Sequence, residues 1–540
     1  MSDVSPLRPK MLDDVADVEV KLVAMLEEGR GREVIRMMLA LLVDLRERHT
    51  SSEARLHDLL RKVYGRSSEK IAAAQLELYL AMLGASKAKP EGDKPPPNLP
   101  VPDVKPAPRG GGGRKPLPDN LPVVVVEIPV PDAERACPYC GKERTSCGHE
   151  VARLIEYFPP SFKVIEERRE KLVCRPCGEI TTAPLGDRVI EGGRPGPQLV
   201  AALIVDKWQD ATPHNRNADI FSRLGVHFAR QRLTDWAAAG LDALGPVAWR
   251  ITQRVLAATY LNIDDTGLRV LDRDHPAGVK RGHMWAMVAS EAKLVSYFYT
   301  KDWSADGPAA MLADFEGYLQ SDEYAGFDTI AEASDGSIIR LGCHMHSRRK
   351  FEAALDGGDV RAAIAMNLYK QIYAVERACK DEGLDADARK IRRLGQTEPL
   401  LRELKAWAEE LHPRLTPSST LRKGTTYLTG NWEVLTRFLE DGRLEIDNGI
   451  VERELRRVAI SRKNWLFAGS DEGAERAAVA FTVLATCRMQ GVEPSGYIAD
   501  VLRKLTAGWP MSRIDELLPA AWSRAKESAE NPDAQKSTAS

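Results

Sequence analysis

No stretch of this chain is apolar for long enough to cross a bilayer. Its longest purely apolar runs fall far short of the about 20 residues that a spanning helix needs. The opening residues, MSDVSPLRPK, lack the apolar core of a secretory signal. These two absences set the expectation of a cytoplasmic protein with no membrane partner. An excess of charge of one sign is also missing. Lys and Arg number 76 against 78 Asp and Glu, a net charge of -2, so the molecule as a whole carries no electrostatic sign of a nucleic-acid partner. Cysteine is sparse, eight in 540 residues, but four of the eight form two Cys-x-x-Cys pairs, Cys137/Cys140 and Cys174/Cys177. In a reducing compartment that spacing points to metal rather than to disulfides.

What is present is the composition of ordinary globular protein, 43% hydrophobic and 29% charged, in a chain long enough for several domains. The charge is unevenly spread. Basic residues gather in RKVYGRSSEK (Arg61 to Lys70), RGGGGRK (Arg109 to Lys115) and RELRRVAISRK (Arg453 to Lys463). Such patches can track phosphates inside a neutral molecule, although any one of them also reads as a solvated helix face.

The pattern divides the chain into a multidomain α+β protein. Residues 1–85 read as helical and leucine-zipper-like, with Leu42, Leu45, Leu56, Leu59 and Val63 on a seam that His49 and Ser52 interrupt. A helical hairpin packed on its own chain fits them equally. Residues 86–122 are a disordered or semi-rigid basic Pro/Gly linker. Residues 123–190 hold the two Cys-x-x-Cys knuckles, with strands expected at Val123 to Ile128 and Phe162 to Ile165. Four thiolates from two knuckles suit one tetrahedral structural zinc. Cys147 and His149 are nearby substitutes. Residues 191–250 suggest a helix-turn-helix-like module of three short helices, Gln198 to Trp208, Pro213 to Leu224 and Ala229 to Leu241, with Gly225 at the turn. Arg230, Gln231, Arg232 and Thr234 open the third and suit DNA contacts.

From residue 251 the periodicity changes. Tyr260 to Ile263 reads as a strand ending in Asp264 and Asp265, an unusual pair of adjacent carboxylates at the edge of a core. Strands at Gly282 to Ser290 and Leu294 to Thr300 come next, then a helix at Pro308 to Tyr318. A short strand ends in Asp322, and Ile338 to Leu355 runs from strand into helix. That element order is the order of an RNase H-like α/β domain, here 251–505 with a helical insertion at about 359–432. In that fold acids stand at the tip of the first strand and the end of the fourth, the places of Asp264 and Asp322. A third carboxylate is required from a later helix. Glu452, Glu454, Asp447 and Glu445 are all candidates, Glu452 being modestly favoured by its place early on a helix that Asp447 can cap. Three converging carboxylates suit two Mg²⁺ (or Mn²⁺) ions and in-line phosphoryl transfer. Asp265, facing the other way from a strand, is expected to be structural. The remaining residues, 506–540, are read as a C-terminal tail, disordered from Arg524.

The chain resembles transposases of the insertion sequence 66 family over nearly all its length. VYGRSSEK resembles the motif that closes the family's zipper-like helix, and CPYCGK with KLVCRPCG its zinc-binding module. GRPGPQLVAALIVDKW through FSRLGVHFARQRLTDW resembles its helix-turn-helix segment. IDDTG and LQSDEYAGF match the motifs of its first two catalytic aspartates, and CHMHSRRKF its Cys-x-x-His-x-Arg-Arg-Lys-Phe element. IDNGIVERELR resembles the third-acid helix, and SRKNWLFAGSDEGAERAA the segment after it. The resemblance implies Asp264, Asp322 and Glu452 as a DDE triad binding magnesium, since the family's glutamate directly precedes an arginine, here Arg453. Departures are Asp265 where the family usually has Glu, Glu323 where it has Gly, and Gly449 where it has Asn.

The expected protein is therefore a DNA transposase of a bacterial insertion sequence. It would bind terminal inverted repeats, cut and join strands, and be nucleoid-associated when on DNA. Arg453, Arg456, Arg457, Arg462 and Lys463 are candidate phosphate contacts. Two ends must be brought together, which implies a homodimer or higher oligomer; the family implies small accessory proteins encoded by the same element. Cys343, His344 and His346 form a further cluster that could bind metal, a role near the active site being preferred. Rival readings are a catalytically dead DNA-binding regulator, and an RNase H-like nuclease that cleaves without joining.

Overall fold

In the computed structural model, residues 195–530 are described without a break. Ahead of them only 23, 27–31, 35, 38, 79, 162–166, 171–173, 180–182, 188–190 and 193 are described. The chain divides into two compact units, 1–86 with 165–540, and 87–164. Of the second, only residues 162–164 are described. The expected zipper-like seam, the linker and Cys137, Cys140, Cys174 and Cys177 all lie outside the described residues. Strands β1 (Lys171–Val173) and β2 (Ile180–Thr182) pair antiparallel, with Lys171 opposite Thr182, and bracket the second Cys-x-x-Cys in sequence. The strand expected at Phe162 to Ile165 does not form. Val164 and Ile165 are exposed, so no partner strand or core rewards an extended ladder there.

Three helices lead into the central sheet. Helix α1 (Pro197–Trp208) starts on a proline, where the missing amide costs no bond, and buries Val200, Leu203 and Ile204. After α2 (His214–Arg223), Gly225 at φ +85° makes the turn. The sequence predicts a third short helix ending near Leu241. Instead α3 (Arg230–Leu256) runs for 27 residues, passing residue 250 without a break and burying Leu233, Leu241, Leu244, Ile251 and Val255 along one face. Gly240 resembles a stop signal in the sequence. In the fold it is a close approach: a Cβ there would lie 2.4 Å from Val200 Cγ1, so the glycine lets α1 and α3 meet.

A five-stranded sheet comes next, made of β3 (Tyr260–Leu271), β4 (Val279–Ala289), β5 (Leu294–Thr300), β6 (Gly317–Gln320) and β7 (Ile338–Leu341), in the order β5-β4-β3-β6-β7. β4 lies antiparallel to both β3 and β5, whereas β6 is parallel to β3 and to β7. Two boundaries differ from expectation. The first strand does not end at Asp264 but continues to Leu271, because its second half pairs with β4 as far as Leu271 opposite Val279. The helix expected over Pro308 to Tyr318 is the short α4 (Asp306–Met311). It yields to β6, which opens on Gly317 at φ +140°, where a Cβ would sit 2.3 Å from Thr259 O. Helix α5 (Ala325–Ala333) then leads to β7, and α6 (His344–Asp356) comes after it.

The insertion comprises α7 (Ala362–Asp381), α8 (Ala386–Arg392), a π-turn at Arg393–Thr397, α9 (Glu398–Leu411), α10 (Thr420–Gly430) and α11 (Trp432–Thr436). It is not a solvated add-on. Tyr369, Leu401, Leu404 and Leu428 share one buried cluster with Tyr260 and Leu341 of the sheet. Helices α12 (Gly449–Trp465), α13 (Asp471–Met489) and α14 (Pro494–Thr506) complete the packing. The expected tail is partly ordered. Helix α15 (Pro519–Glu530) sets Trp522 edge-on to Tyr497 at 5.4 Å, and only 531–540 lie outside the described residues. Among the described residues no helix is long and apolar enough to cross a membrane.

A buried amide network fastens the middle of the sheet. Asn262 Nδ2 donates to Gln320 Oε1 (2.9 Å) and Asn448 Oδ1 (3.0 Å). Asn448 Nδ2 donates to Ile263 O (2.8 Å), and Gln320 Nε2 to Gly342 O (3.1 Å) and Glu445 O (2.9 Å). All three amides are fully buried, where an orphaned polar group is costly. Asn448→Leu leaves the Asn262 amide and the Ile263 carbonyl without this partner. The expected loss is about 1–3 kcal/mol, read as a lower urea midpoint at unchanged slope; an unchanged midpoint would contradict the network's role.

Candidate active site

The network sets the spacing of three acids. In the parallel pair, Asn262 stands opposite Gln320. Two residues further along each chain come Asp264, on the same face of β3 as Asn262, and Asp322, two residues past the end of β6. Asn448 stands at the N-cap position of α12, its side chain turned to the network, and Glu452 lies one turn beyond it. Asp264, Asp322 and Glu452 thus converge from a continuing strand, a strand end and a first helical turn.

Electrostatics reports the convergence. Burial pushes the Asp264 carboxyl well above the usual range, and the charges of Asp322 and Glu452 push it further, against a hydrogen bond that its Oδ1 accepts from Asp265 N (2.8 Å). Burial also raises Asp322, opposed by the Tyr324 amide, which donates to its Oδ1 (3.0 Å), and by the nearby His346. Glu452 is held by Arg349, with Nη2 to Oε2 at 2.8 Å and Nη1 to Oε1 at 3.3 Å; His346 Nε2 lies 3.9 Å from its Oε1.

The other third-acid candidates are engaged elsewhere. Glu454 forms an ion pair with Arg488. Asp447 accepts from Gly449 N (2.9 Å) and Tyr373 Oη (2.9 Å), but it stands one residue before the N-cap, which is Asn448. Glu445 takes both Arg389 Nη atoms, at 3.1 and 3.0 Å. Glu323, the extra acid beside Asp322, pairs with Lys350 at 2.8 Å. Asp265 faces the opposite side of β3, where it contacts His283 Nδ1 and accepts from Trp303 Nε1 (3.1 Å). Trp303 stacks on His283 and Tyr324, with centroids 5.6 and 4.9 Å apart.

The Cys343, His344, His346 cluster is divided. His344 faces the core: its Nε2 lies 2.8 Å from Leu435 O, and burial pushes it down to about 4, which keeps it neutral. Cys343, His346 and Glu452 offer ligand atoms within 4.8 Å of one another. The Cys343 thiol, however, is fully buried, accepts from Asn448 N (3.2 Å) and is pushed up to about 12 by burial. Its position is that of an acceptor at the start of α12, not of a ready thiolate ligand. Three half-buried oxygen acids, with Asp264 repelled by the other two, by contrast suit a hard divalent cation.

Of the expected DNA contacts, Arg230 and Arg232 are exposed at the start of α3, and Arg453, Arg456, Arg457 and Lys463 are exposed on α12. Arg462 is committed to β3, where it donates to Gly267 O and to Thr266 Oγ1 (3.1 Å). The sequence reading missed Arg349, Trp303 and His283. Arg349 had a signal in the Arg-Arg-Lys run; the other two had none, because their links to Asp265 span 38 and 18 residues of chain.

Comparison with known proteins identifies the family. The family profile described as "Transposase IS66 family" matches residues 192–476, and "IS66 C-terminal element" matches 482–520. "Zinc-finger binding domain of transposase IS66" matches 134–178, a span that contains all four paired cysteines, and "Transposase C of IS166 homeodomain" matches 53–126. Uncharacterized protein y4hP of Sinorhizobium fredii is 34% identical over 500 residues, 88% of this chain and 89% of the relative. Uncharacterized protein y4qI of the same organism is 29% identical over 94% of this chain and 97% of the relative. The chain belongs to the IS66 family of transposases.

The raised Asp264 has a signed consequence. A carboxyl whose folded-state pKa exceeds its unfolded value, about 4, favours folding below that value, and the benefit is lost as pH rises through the folded one. In EDTA, Asp264→Asn therefore melts higher than wild type at pH 8, by roughly 2–4 °C for each ~1 kcal/mol relieved. The gap closes towards pH 4, where Asp264 is protonated. A gap of the same size at both pH values would show that repulsion at Asp264 is not its source.

Proposed function

We propose that this transposase is a DDE enzyme whose domain of residues 251–505 is RNase H-like, and that Asp264, Asp322 and Glu452 are its catalytic acids. The observation that carries the reading is the register of β3 and β6, with Asn262 opposite Gln320 and an acid two residues beyond each. The strand order β5-β4-β3-β6-β7, with only the last two steps parallel, supports the fold assignment. The three carboxylates would hold Mg²⁺ or Mn²⁺, two ions per site, and the bound metal would supply positive charge for the attacking and leaving oxygens.

In the first step water attacks the phosphodiester at the element end. The new P–O bond forms as the P–O3′ bond breaks, leaving a free 3′ hydroxyl. In the second, that hydroxyl attacks a phosphodiester of target DNA and displaces the target's own 3′ oxygen. Asp264, Asp322 and Glu452 would hold the metal ions, with Arg349 and His346 orienting Glu452. Arg230 and Arg232 on the helix-turn-helix segment of residues 191–250, together with Arg453, Arg456, Arg457 and Lys463, bind phosphates. Residues 123–190 would carry one structural zinc on Cys137, Cys140, Cys174 and Cys177. The segments 1–85 and 86–122 supply the interface and the linker of a dimer or higher oligomer, which works in the cytoplasm on the nucleoid, aided by accessory proteins of the same element.

The test is strand cleavage and joining on a labelled element-end duplex with magnesium. Asp264→Asn, Asp322→Asn and Glu452→Gln each lower joining by at least about 100-fold, the loss of roughly 2.7 kcal/mol of transition-state stabilisation, while end binding persists. Glu454→Gln lowers stability instead. Joining that survives Glu452→Gln but not Asp447→Asn would move the third acid, and cleavage without joining would favour the nuclease. Chelation or Cys174→Ser is expected to release one zinc per chain and weaken end binding.

A further inference from the structure

The face of β3 that carries Asp265 continues past the acids. On it the cross-strand pairs with β4 are Asp265 with Trp285, Gly267 with His283 and Arg269 with Arg281. The last is a like-charge pair directly opposite, an arrangement that destabilises a sheet. Both arginines are exposed, and among the described residues neither has a carboxylate partner. The other face of the same ribbon is treated differently. Lys280, opposite Val270, pairs with Asp471 (2.8 Å) and Asp272 (3.4 Å). One face is neutralised and the other keeps its charge.

Gly267 directs that charge. A Cβ at 267 would lie 2.8 Å from Arg281 Nε and 3.0 Å from Nη2, so the Arg281 guanidinium lies along the sheet over Gly267, on the side towards the acids. The strip also has apolar ends. Ala468 bridges β3 in parallel at Val270, donating to Arg269 O (2.8 Å) and accepting from Leu271 N (2.9 Å). Val270 and Ala468 are buried, so their neighbours Arg269 and Phe467 share the open side, Phe467 being 38% exposed. At the acid end stands Trp303, 55% exposed and fixed through its indole N–H to Asp265.

We infer that this strip, Arg269 and Arg281 with Phe467 beyond them, is a DNA-backbone contact on the face of the sheet opposite to that of Asp264. Unpaired guanidinium groups beside exposed aromatic rings fit a phosphate backbone. The phosphates it meets are therefore others than the one being cut. That the bound DNA is an element end rests on the catalytic reading above; the contact itself does not.

The experiment uses the full chain and element-end duplexes, each carrying one uncharged methylphosphonate linkage at successive positions from the cleavage site. Wild type binds less tightly when the neutral linkage lies at one position, that of the phosphate that meets the strip. Arg269→Gln/Arg281→Gln binds unmodified duplex at least about 10-fold more weakly, with a salt slope shallower by about 2, one for each lost phosphate contact. It loses nothing further from the neutral linkage at that position. Its melting temperature equals or exceeds wild type, because a repulsive pair has been removed. Wild-type affinity in the double variant, or a methylphosphonate penalty that persists in it, overturns the inference. A variant that melts lower assigns the pair to the fold and overturns it as well. If Asp264→Asn joins strands, the catalytic reading fails while the binding comparison of wild type with the double variant still decides the strip.

Discussion

Everything at this site depends on three buried amides finding one another. Asn262, Gln320 and Asn448 come from two strands and a helix start that are distant in sequence, and each stands a fixed step behind an acid. Each link is a short neutral hydrogen bond in a dry interior, where the alternative is an orphaned polar group. The network resists sliding for that reason. A slip of β6 against β3 by one residue would turn Gln320 out of the network and Asp322 to the other face together. The amides thus convert strand register into the relative position of the carboxylates.

The same arrangement explains where stability is given up. Asp264 is buried among like charges, and its carboxyl is raised by burial and by Asp322 and Glu452. Residues around it offset part of that cost. Arg349 neutralises Glu452 through two hydrogen bonds. The insertion contributes from further off: Arg393, fully buried, binds Glu376 through Nε and Nη2 at 2.8 Å and donates to Phe438 O and Asp441 O. Arg389 joins Glu376 to Glu445, three residues before Asn448. The helical insertion therefore buttresses the segment that leads to the third acid, a role its amphipathic helices alone do not reveal.

Much of this was legible in the sequence because the signals are local. Asp264 and Asp322 come directly after apolar strand-like runs, and the alternation of strand and helix gives the order of elements. The failures have physical reasons. The length of β3 depends on β4 as a partner, which is a long-range property. Gly240 and Gly317 resemble breakers but mark close approaches of backbone, a distinction that only packing makes. Among Glu445, Asp447, Glu452 and Glu454 the sequence leaves a choice; each has a different partner in the fold, Arg389, Tyr373, Arg349 and Arg488, from elements up to 103 residues away. The paired cysteines were legible as a motif, and the zinc-finger profile covers them.

Net charge was the least informative property, and the sheet shows why. A balance of -2 sums over faces that do different things. On one face of β3 and β4, Lys280 is cancelled by Asp272 and by Asp471 at the start of helix α13. On the other, Arg269 and Arg281 repel each other with no acid between them. Folding alone favours placing a carboxylate opposite an arginine, and the sequence supplies 78 acids to choose from. Leaving that pair uncompensated suits negative charge that arrives from outside the chain, and on the inference above that charge is the backbone of DNA.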